Sequence, residues 1–323
     1  MVKATTIRQY NDYDKGRDVG LICVFAGATS GIGASTLEKM VQKLQKSTFY
    51  VLGRSAHRFA DQRAKLENLN LSCKVVFIQA EVSLLSDIDA ACKQINSFEQ
   101  RVDYLYMSPG LIPLNGPQYT KEGLETCFSI SYYARIRLVC KLMPLLRQSP
   151  RPRVLSVLNG GREKALHEQD IGLEQRWSPI AVVNHTTTMT SLAFEHLAEE
   201  NKQFAFLHSY PGLVRTDIFA RLTPPESSGI VWRATLAAIR GIVAVVMLCV
   251  GMEVEECGER QAFLLTTDRY GPGAWRINSS SEQVFAPGVL KRYREGSWSE
   301  RIWDHTMGVF DTVLAIENDG VSR

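Results

Sequence analysis

The stretch that most restricts the fold of this chain is an apolar run followed at once by glycines. The run GLICVFAG, residues 20–27, has the length and continuous hydrophobicity of a buried β-strand. It leads through ATSGIG into ASTLEKMVQKLQK, where apolar residues recur at helical spacing. Glycines allow a tight turn between two such elements. The segment therefore predicts a strand–turn–helix unit at the start of an α/β fold.

Strand-length and helix-length segments alternate along the rest of the chain. The further predicted strands are TFYVLG, KVVFIQAEV, VDYLYMSPG, RPRVLSVLNGG, FAFLHSYPG and AWRIN. This alternation predicts a Rossmann-type, doubly wound parallel sheet of about seven strands with helices on both faces. We expect a single domain over residues 1–323, with a core at about 20–216 and 260–280, a lid-like insertion at 217–259 and a C-terminal extension at 281–323.

Composition excludes several classes of protein. The net charge of the 323 residues is +3, and the charges are mixed along the chain, so no basic face indicates nucleic-acid binding. The seven cysteines are scattered without a CxxC pair or a Cys/His metal spacing, which predicts reduced thiols and no metal site. The polar start MVKATTIRQYNDYDKGRD lacks the apolar segment of a secretory signal. We therefore expect a cytoplasmic protein.

The glycine turn has the features of a site for dinucleotide phosphates. Gly27, Gly31 and Gly33 let the backbone approach a pyrophosphate closely. The N-terminus of the following helix adds free N–H groups and the positive end of the helix dipole. The predicted phosphate loop comprises Gly27, Thr29, Ser30, Gly31, Ile32 and Gly33.

The end of the second strand indicates which dinucleotide binds. The segment VLGRS places Arg54, followed by Arg58, where an acidic residue would hydrogen-bond the ribose 2′-hydroxyl of NAD. A guanidinium pairs instead with a 2′-phosphate. We therefore expect NADP(H) as the cofactor.

Together these motifs resemble the short-chain dehydrogenase/reductase family over about residues 21–218. The resemblance rests on GxxxGxG after the first strand, GRS after the second and YPGLVRTDI after the sixth. The segments SPG, YYARIRL and HTTTMTSLAFEHLAEEN are similar to a branch of filamentous-fungal natural-product pathways. The resemblance implies further cofactor contacts at Glu81, Val82, Ser108, Gly110, Pro211, Gly212, Val214 and Thr216.

Members of this family exchange hydride with the help of an asparagine, a serine, a tyrosine and a lysine, and all four positions differ here. Landmarks around them place Ser131 at the asparagine, Asn159 at the serine, Val183 at the tyrosine and Thr187 at the lysine. Valine cannot exchange a proton, and threonine lacks the charge that lowers the pKa of a phenol. The pattern YxxxK occurs nowhere in the chain. Thr187 is expected to contact the cofactor ribose or to serve the helix structurally.

Four residues are candidates for the missing chemistry. His185 follows the tyrosine position by two residues, and the ordinary pKa of histidine, near 6.5, suits proton transfer. Tyr132 and Tyr133 precede it in the chain, and Tyr133 with Arg137 reproduces the Tyr-x-x-x-basic spacing. The amide of Asn159 can donate a hydrogen bond to an oxyanion. The alternatives are a packed histidine and aromatic core residues.

The insertion contains GIVAVVMLCVGM, an apolar run of 12 residues, shorter than the ~20 that a membrane-spanning helix needs. Arg233 and Arg240 are seven residues apart and lie on one helical face, so the segment 230–252 is amphipathic. We expect it to pack on the core, to close over an apolar pocket as a lid or, third, to lie on a membrane surface without spanning it. The acidic EVEE that follows disfavours contact with anionic lipid.

The leading hypothesis is an NADP(H)-dependent oxidoreductase that acts on a keto or hydroxyl group of a bulky apolar secondary metabolite. Loss of all four catalytic residues leaves two alternatives open. One is an isomerase, dehydratase or cyclase without net hydride transfer. The other is a non-catalytic NADP(H)-binding protein. The resemblance implies a homodimer or homotetramer, although the insertion and the C-terminal extension are long enough to block the usual contacts.

Overall fold

The computed structural model describes residues 2–13, 18–218, 224, 229–285 and 288–320. Seven parallel strands form one sheet in the order β3-β2-β1-β4-β5-β6-β7. The strands are β1 (Ile22–Ala26), β2 (Thr48–Gly53), β3 (Lys74–Gln79), β4 (Tyr104–Met107), β5 (Arg153–Val157), β6 (Ala205–Ser209) and β7 (Gly273–Ile277). The predicted parallel sheet of about seven strands is confirmed, including the last strand around Trp275.

Helices cover both faces of the sheet, as expected for parallel strands that are buried on both sides. They are α1 (Ala4–Tyr13), α2 (Gly31–Lys43), α3 (Ala56–Leu69), α4 (Leu85–Phe98), α5 (Thr126–Phe128), α6 (Ala134–Leu146), α7 (Pro179–Glu200), α8 (Ile230–Val250), α9 (Val254–Thr266), α10 (Gly288–Glu295) and α11 (Trp298–Gly320). Apolar residues of α1, α2, α3 and α9 pack on one face. Those of α4, α6, α7, α10 and α11 pack on the other.

The long helix predicted before β5 is interrupted. A π-helical segment, Ser129–Tyr133, lies between α5 and α6, and Pro144 lies inside α6. Single π-helical turns locally widen a helix and are frequent at functional sites. All five residues of the segment are buried, so it presents its side chains to the interior of the protein.

The C-terminal extension belongs to the folded body. Helix α11 packs along α7, and its residues Ile302 and Phe310 join the core on that face of the sheet. At the insertion, α9 begins at Val254 and packs against α2, so core packing resumes six residues before the predicted boundary at residue 260. Residues 219–223 and 225–228 of the predicted insertion lie outside the described residues.

Helix α8 is almost entirely exposed, unlike a helix of the protein core. It is 21 residues long, and by length and composition it is apolar enough to cross a membrane. Leu236 is its one buried residue. The interpretation that this segment packs into the core is therefore wrong, because the helix offers an apolar surface on nearly all sides.

Candidate active site

The predicted site residues gather at the carboxyl edge of the sheet. The strand order reverses between β1 and β4, and the loops that follow these two strands diverge there. In open α/β sheets this is the crevice in which ligands bind. The loops after β2, β3, β5 and β6 complete the same edge.

The loop between β1 and α2 is shaped by its glycines. Gly27 and Gly31 have φ angles of 79° and 56°, in the left-handed region that favours glycine. A Cβ on Gly27 would lie 2.4 Å from the backbone nitrogen of Pro109, and a Cβ on Gly33 would lie 2.1 Å from the carbonyl oxygen of Gly27. Neither position has room for a side chain. The turn, the start of α2 and the loop after β4 can therefore approach one another closely.

The start of α2 fits an anionic group. Ser30 occupies the N-cap position, and its side chain makes no capping hydrogen bond to the helix. The first turn of an α-helix has N–H groups without a partner inside the helix, and they lie at the positive end of the dipole. Ile32 belongs to this first turn. The donors and the glycine turn together fit the pyrophosphate of a dinucleotide.

The ends of β2 and β3 form the side of the site expected to hold the adenosine. Arg54 follows β2, its side chain is 73% exposed, and its Nε lies 3.6 Å from Oε2 of Glu81 after β3. Thr29 lies against the end of β2, because a Cβ on Gly53 would be 2.8 Å from its Cγ2. Val82, the residue after Glu81, is buried. The structure thus brings the predicted Arg54, Glu81 and Thr29 to one edge of the sheet.

The loop after β4 is tied to the glycine turn. The hydroxyl of Ser108 donates a hydrogen bond to the carbonyl of Gly27 over 3.1 Å, and its backbone N–H donates to Ala26 over 3.0 Å. Gly110 lies in open space, with nothing within 4 Å of a Cβ built on it. Ser108 thus has a structural contact in addition to its predicted cofactor contact.

The loop after β6 reaches the same turn from the other side. Pro211 leads into Gly212, whose φ angle is 86°. Val214 is buried and pairs with Met252 in an isolated bridge. The Cγ2 of Thr216 would lie 3.5 Å from a Cβ on Gly31, so this loop lies beside the predicted phosphate site.

His185 is not placed as the predicted acid requires. It is completely buried, its Nδ1 donates to the carbonyl of Ile171 over 3.0 Å, and its Nε2 accepts from the N–H of His167 over 2.8 Å. Burial lowers the pKa of His185 to about 4, so the ring is neutral at pH 7. With both ring nitrogens bonded to the backbone of the 166–171 loop, the histidine holds that loop on α7 and has no nitrogen left for a substrate.

The two tyrosine candidates face the C-terminal helix rather than the crevice. Tyr132 is fully buried, and its hydroxyl donates to Oγ1 of Thr306 over 2.6 Å, since that hydroxyl itself donates to the carbonyl of Ile302. The hydroxyl of Tyr133 is 2.9 Å from Nε2 of His305. Burial raises the pKa of both phenols well above the ordinary value. Both tyrosines therefore fix α11 to the π-helical segment.

Arg137 likewise does not form the predicted couple with Tyr133. Its Nε donates to Oδ1 of Asp89 on α4 over 2.7 Å, and its guanidinium lies 5.1 Å from the ring centre of Phe310. The Tyr-x-x-x-basic spacing is thus satisfied by contacts to two other helices. The predicted couple is therefore wrong. The spacing could not show this, because α11, which contacts both residues, lies far away in the sequence.

Asn159 is the predicted catalytic residue that the structure leaves available. It is half-buried after β5, its backbone N–H points at Nε2 of His208 over 3.4 Å, and its carbonyl accepts from Arg162 N–H over 3.0 Å. Its side-chain amide makes no hydrogen bond to any residue that the structure describes. The amide can therefore donate to a ligand oxygen.

The other three substituted positions carry no ionisable group. Val183 is 39% exposed, and Thr187 one turn later is buried and donates to the carbonyl of Val183 over 2.6 Å. The predicted ribose contact of Thr187 is thus limited to its remaining acceptor capacity. Ser131 is buried in the π-helical segment with Cys127 Sγ 3.9 Å from its hydroxyl.

A buried chain of hydrogen bonds, which sequence reasoning missed, holds the loop of Asn159. Oε1 of Glu163 accepts from Ser191 Oγ over 2.6 Å and from Gly161 N–H over 3.0 Å. Ser191 Oγ in turn accepts from Nδ1 of His208 over 2.9 Å, which leaves Nε2 as the acceptor toward Asn159. Burial and nearby arginine charge lower the pKa of His208 to about 3, so the ring is neutral. A histidine inside an otherwise apolar strand was the sequence signal.

A second missed residue is Arg135, which lies one turn after Ser131 and is completely buried. Among the described residues its acceptors are all uncharged oxygens: Ile130, Met107, Pro109 and Val157 carbonyls and Ser156 Oγ. Burial lowers its pKa to about 10, which still leaves it charged at pH 7. The guanidinium thus joins the ends of β4 and β5 to the loop after β4 and adds a fixed positive charge there. Sequence reasoning had selected Arg137 from the same segment instead.

Known proteins of one family resemble this chain in sequence. The family model for short chain dehydrogenases matches residues 21–165. Oxidoreductase lepF from Aspergillus flavus is 36% identical, over 91% of this chain and 92% of lepF. The chain belongs to the short-chain dehydrogenases. This short-chain dehydrogenase is also 32% identical to oxidoreductase AN1596 from Emericella nidulans, over 91% of the chain and 94% of that protein.

A solved structure shares the fold. The short-chain dehydrogenase from Streptomyces avermitilis has a TM-score of 0.58 and 18% identity, over 94% of this chain and 97% of that one. Membership of the family makes this chain an oxidoreductase with the Rossmann-type fold. Members of this family bind a nicotinamide dinucleotide, NAD(H) or NADP(H).

Gly33→Ala should weaken dinucleotide binding by about tenfold or more, because the new Cβ would push α2 away from the Gly27 carbonyl. Gly308→Ala in helix α11 is the matched control, since its Cβ also meets open space and the residue lies outside the site. Fluorescence titration with NADPH measures both affinities. Equal affinity of the two variants would show that the turn does not hold the pyrophosphate.

Protonation of His185 should destabilise the fold. In the unfolded chain histidine protonates near pH 6.5, whereas in the folded protein His185 protonates only at about pH 4. The unfolded state therefore binds more protons within this window, and the free energy of unfolding should decrease as the pH falls from about 6.5 to about 4. His208, with its pKa lowered to about 3, acts in the same direction.

The measurement is the unfolding free energy against pH for wild type and His185→Gln, with the exposed His57→Gln as control. The His185 variant should have the shallower pH dependence. NMR titration of the His185 ring near pH 6.5 in the folded protein would contradict this account and restore the residue as a candidate acid.

Proposed function

We propose that this short-chain dehydrogenase is an NADP(H)-dependent enzyme that interconverts a keto and a hydroxyl group on a bulky, apolar small molecule. The observation that carries the proposal is Arg54 at the end of β2, beside a phosphate turn that fits a dinucleotide. The kinship with fungal oxidoreductases supports a secondary metabolite as substrate.

Preference for NADP(H) follows from the charge at the end of β2. The residue there is a guanidinium, whose fork of N–H donors suits a phosphate. Its contact with Glu81 is long, at 3.6 Å, and largely exposed, so the ion pair contributes little and Arg54 remains free to turn toward a 2′-phosphate. The carboxylate of Glu81 is held separately, because it accepts a hydrogen bond from Ser83 Oγ over 3.1 Å.

Arg54→Glu should lower the affinity for NADPH by roughly tenfold to a hundredfold while NADH binding changes little, because a carboxylate repels the 2′-phosphate. Arg63→Glu on α3 is the matched control: its side chain is exposed and pairs with Glu67 one turn later. Titration of both variants with NADPH and NADH measures the preference. An unchanged ratio in Arg54→Glu would refute the assignment of Arg54.

An apolar substrate is supported by the rim of the crevice. Large hydrophobic side chains are exposed on the loop after β4, at the start of α7 and on the loop after β6. They are Leu111, Ile180, Val183, Leu213 and Ile218. Exposed apolar residues that cluster around a cleft are typical of a site for an apolar ligand.

The chemistry of the site is then electrostatic rather than proton-relaying. When bound, the reduced cofactor supplies the hydride that a carbonyl carbon accepts. The chain contributes a donor at the oxygen, the amide of Asn159, which stabilises the negative charge that develops there. The buried charge of Arg135 acts in the same direction, since it lies behind the loop of Asn159 without an anionic partner among the described residues. Because Val183 and Thr187 exchange no proton, the oxygen takes its proton from water.

Asn159→Ala should reduce kcat by about a hundredfold with little change in cofactor affinity, because it removes an oxyanion donor. Asn159→Ser restores a donor and should recover part of the rate, and the exposed Asn68→Ala is the matched control. The assay follows NADPH oxidation with an apolar ketone such as decalone.

The same assay separates the rival function. Loss of all four usual catalytic residues leaves isomerisation, dehydration or cyclisation as the rival, because those reactions need only positioning and one acid or base. Product formation without NADPH consumption would select that alternative, and binding of NADPH without product from any apolar ketone would select a non-catalytic role.

A further inference from the structure

Helix α8 presents an apolar surface that the rest of the described chain leaves uncovered. It is the one described helix that is long and apolar enough for a membrane, with a mean hydropathy of 1.9. We propose that α8 lies in the surface of a lipid bilayer and holds the mouth of the crevice against it. The proposal is independent of the reaction, because lipid binding needs neither cofactor nor substrate.

A narrow seam joins α8 to the folded body. Its least exposed residues are Trp232, Leu236, Ile239, Val243 and Met247, and only Leu236 is fully buried. Spacings of three and four residues place them on one helical face. The helix therefore lies along the body and turns its other faces outward.

The outward face is apolar throughout. Val231, Ile242, Val245 and Leu248 are 77%, 66%, 60% and 68% exposed. A helix on the surface of a water-soluble domain normally carries polar or charged residues there. On α8 the two charged residues are Arg233 and Arg240, so the outward face meets the requirements of a helix that enters the apolar layer of a bilayer.

The two arginines lie together along one side of the seam. Arg233 precedes Leu236 by three residues and Arg240 follows it by four, so both lie next to the buried line and away from the outermost residues. Arginine side chains at this height extend their charge to lipid phosphates while their stems stay in apolar surroundings. This arrangement fits a lipid surface better than the apolar face of a second protein copy.

The acidic run after α8, which argues against anionic lipid in the sequence, is neutralised in the structure. Each carboxylate pairs with a cation: Arg215 with Glu253, Lys39 with Glu255 at 2.8 Å, and Arg260 with Glu256 at 2.7 Å. The run therefore adds little net negative charge beside the helix. The electrostatic objection to lipid contact is removed.

Both ends of α8 are bonded to loops of the carboxyl edge. Near its start, Nε1 of Trp232 donates to Oδ1 of Asn115 in the loop after β4 over 3.3 Å. Near its end, Arg215 in the loop after β6 donates to the carbonyls of Met247 and Leu248 over 2.9 and 2.7 Å. The ends of a spanning helix lie on opposite sides of a bilayer. Contacts of both ends with one body place α8 in the plane of the surface, beside the crevice.

Vesicle flotation of the full-length protein tests the proposal. Wild type should float with phosphatidylcholine–phosphatidylserine vesicles. Ile242→Glu/Val245→Glu should bind at least about tenfold more weakly, because it places charges in the apolar layer. Leu71→Glu/Phe98→Glu, at positions 88% and 70% exposed elsewhere on the surface, is the matched control and should bind like wild type.

A second pair of variants tests the headgroup contact. Arg233→Gln/Arg240→Gln should lower binding to the phosphatidylserine vesicles by roughly tenfold and leave binding to pure phosphatidylcholine nearly unchanged. Absence of wild-type flotation, or equal flotation of all variants, would overturn the proposal. So would a lipid-free dimer that Ile242→Glu/Val245→Glu dissociates, combined with no vesicle binding. NADPH titration of the same samples keeps this outcome separate from the proposed function.

Discussion

The close approach of α2, β1 and the loop after β4 is the contact on which the site depends. Gly33 lies against the carbonyl of Gly27, and Gly27 lies against Pro109, with no space for a Cβ at either glycine. This packing directs the first turn of α2 at the crevice, and Ser108 fastens the neighbouring loop to the same turn. The proposed cofactor site is therefore a property of backbone shape, and this shape is present in a chain without a YxxxK pattern.

The charged groups around this backbone differ from those that the family resemblance implies. Landmarks in the sequence place Thr187 at the position of the usual lysine, and a buried cation of the region is Arg135, held by carbonyls at the ends of β4 and β5. The histidines near the site, His185 and His208, are buried and neutral. We propose that a site built in this way stabilises negative charge through fixed donors and does not shuttle protons through its own side chains.

Sequence periodicity predicted the fold well because the signals are local. Each buried strand is a short apolar run, and the glycine turn can be recognised from seven consecutive residues of the chain. The catalytic candidates were harder, because their roles depend on distant segments. Tyr132 and Tyr133 are engaged by α11, and His185 is engaged by the 166–171 loop, which carries no periodic pattern. The position of Asn159 at the crevice was predictable because it follows directly from the end of β5, and its catalytic role stays a prediction.

The surroundings of helix α8 could likewise be predicted only in part from the sequence. Its apolar run and its two arginines are visible in the sequence, but the pairing of the following carboxylates is a long-range feature. That pairing removes the electrostatic objection to lipid contact, and it therefore favours a lipid-facing helix among the three interpretations of the segment.

Isothermal titration calorimetry of the wild-type protein with NADPH and, separately, NADH tests the central claim most directly. The account predicts a single saturable site that takes up NADPH more tightly than NADH, without any substrate present. Absence of binding for both coenzymes, in protein shown to be folded, would contradict the account of the glycine turn and everything built upon it.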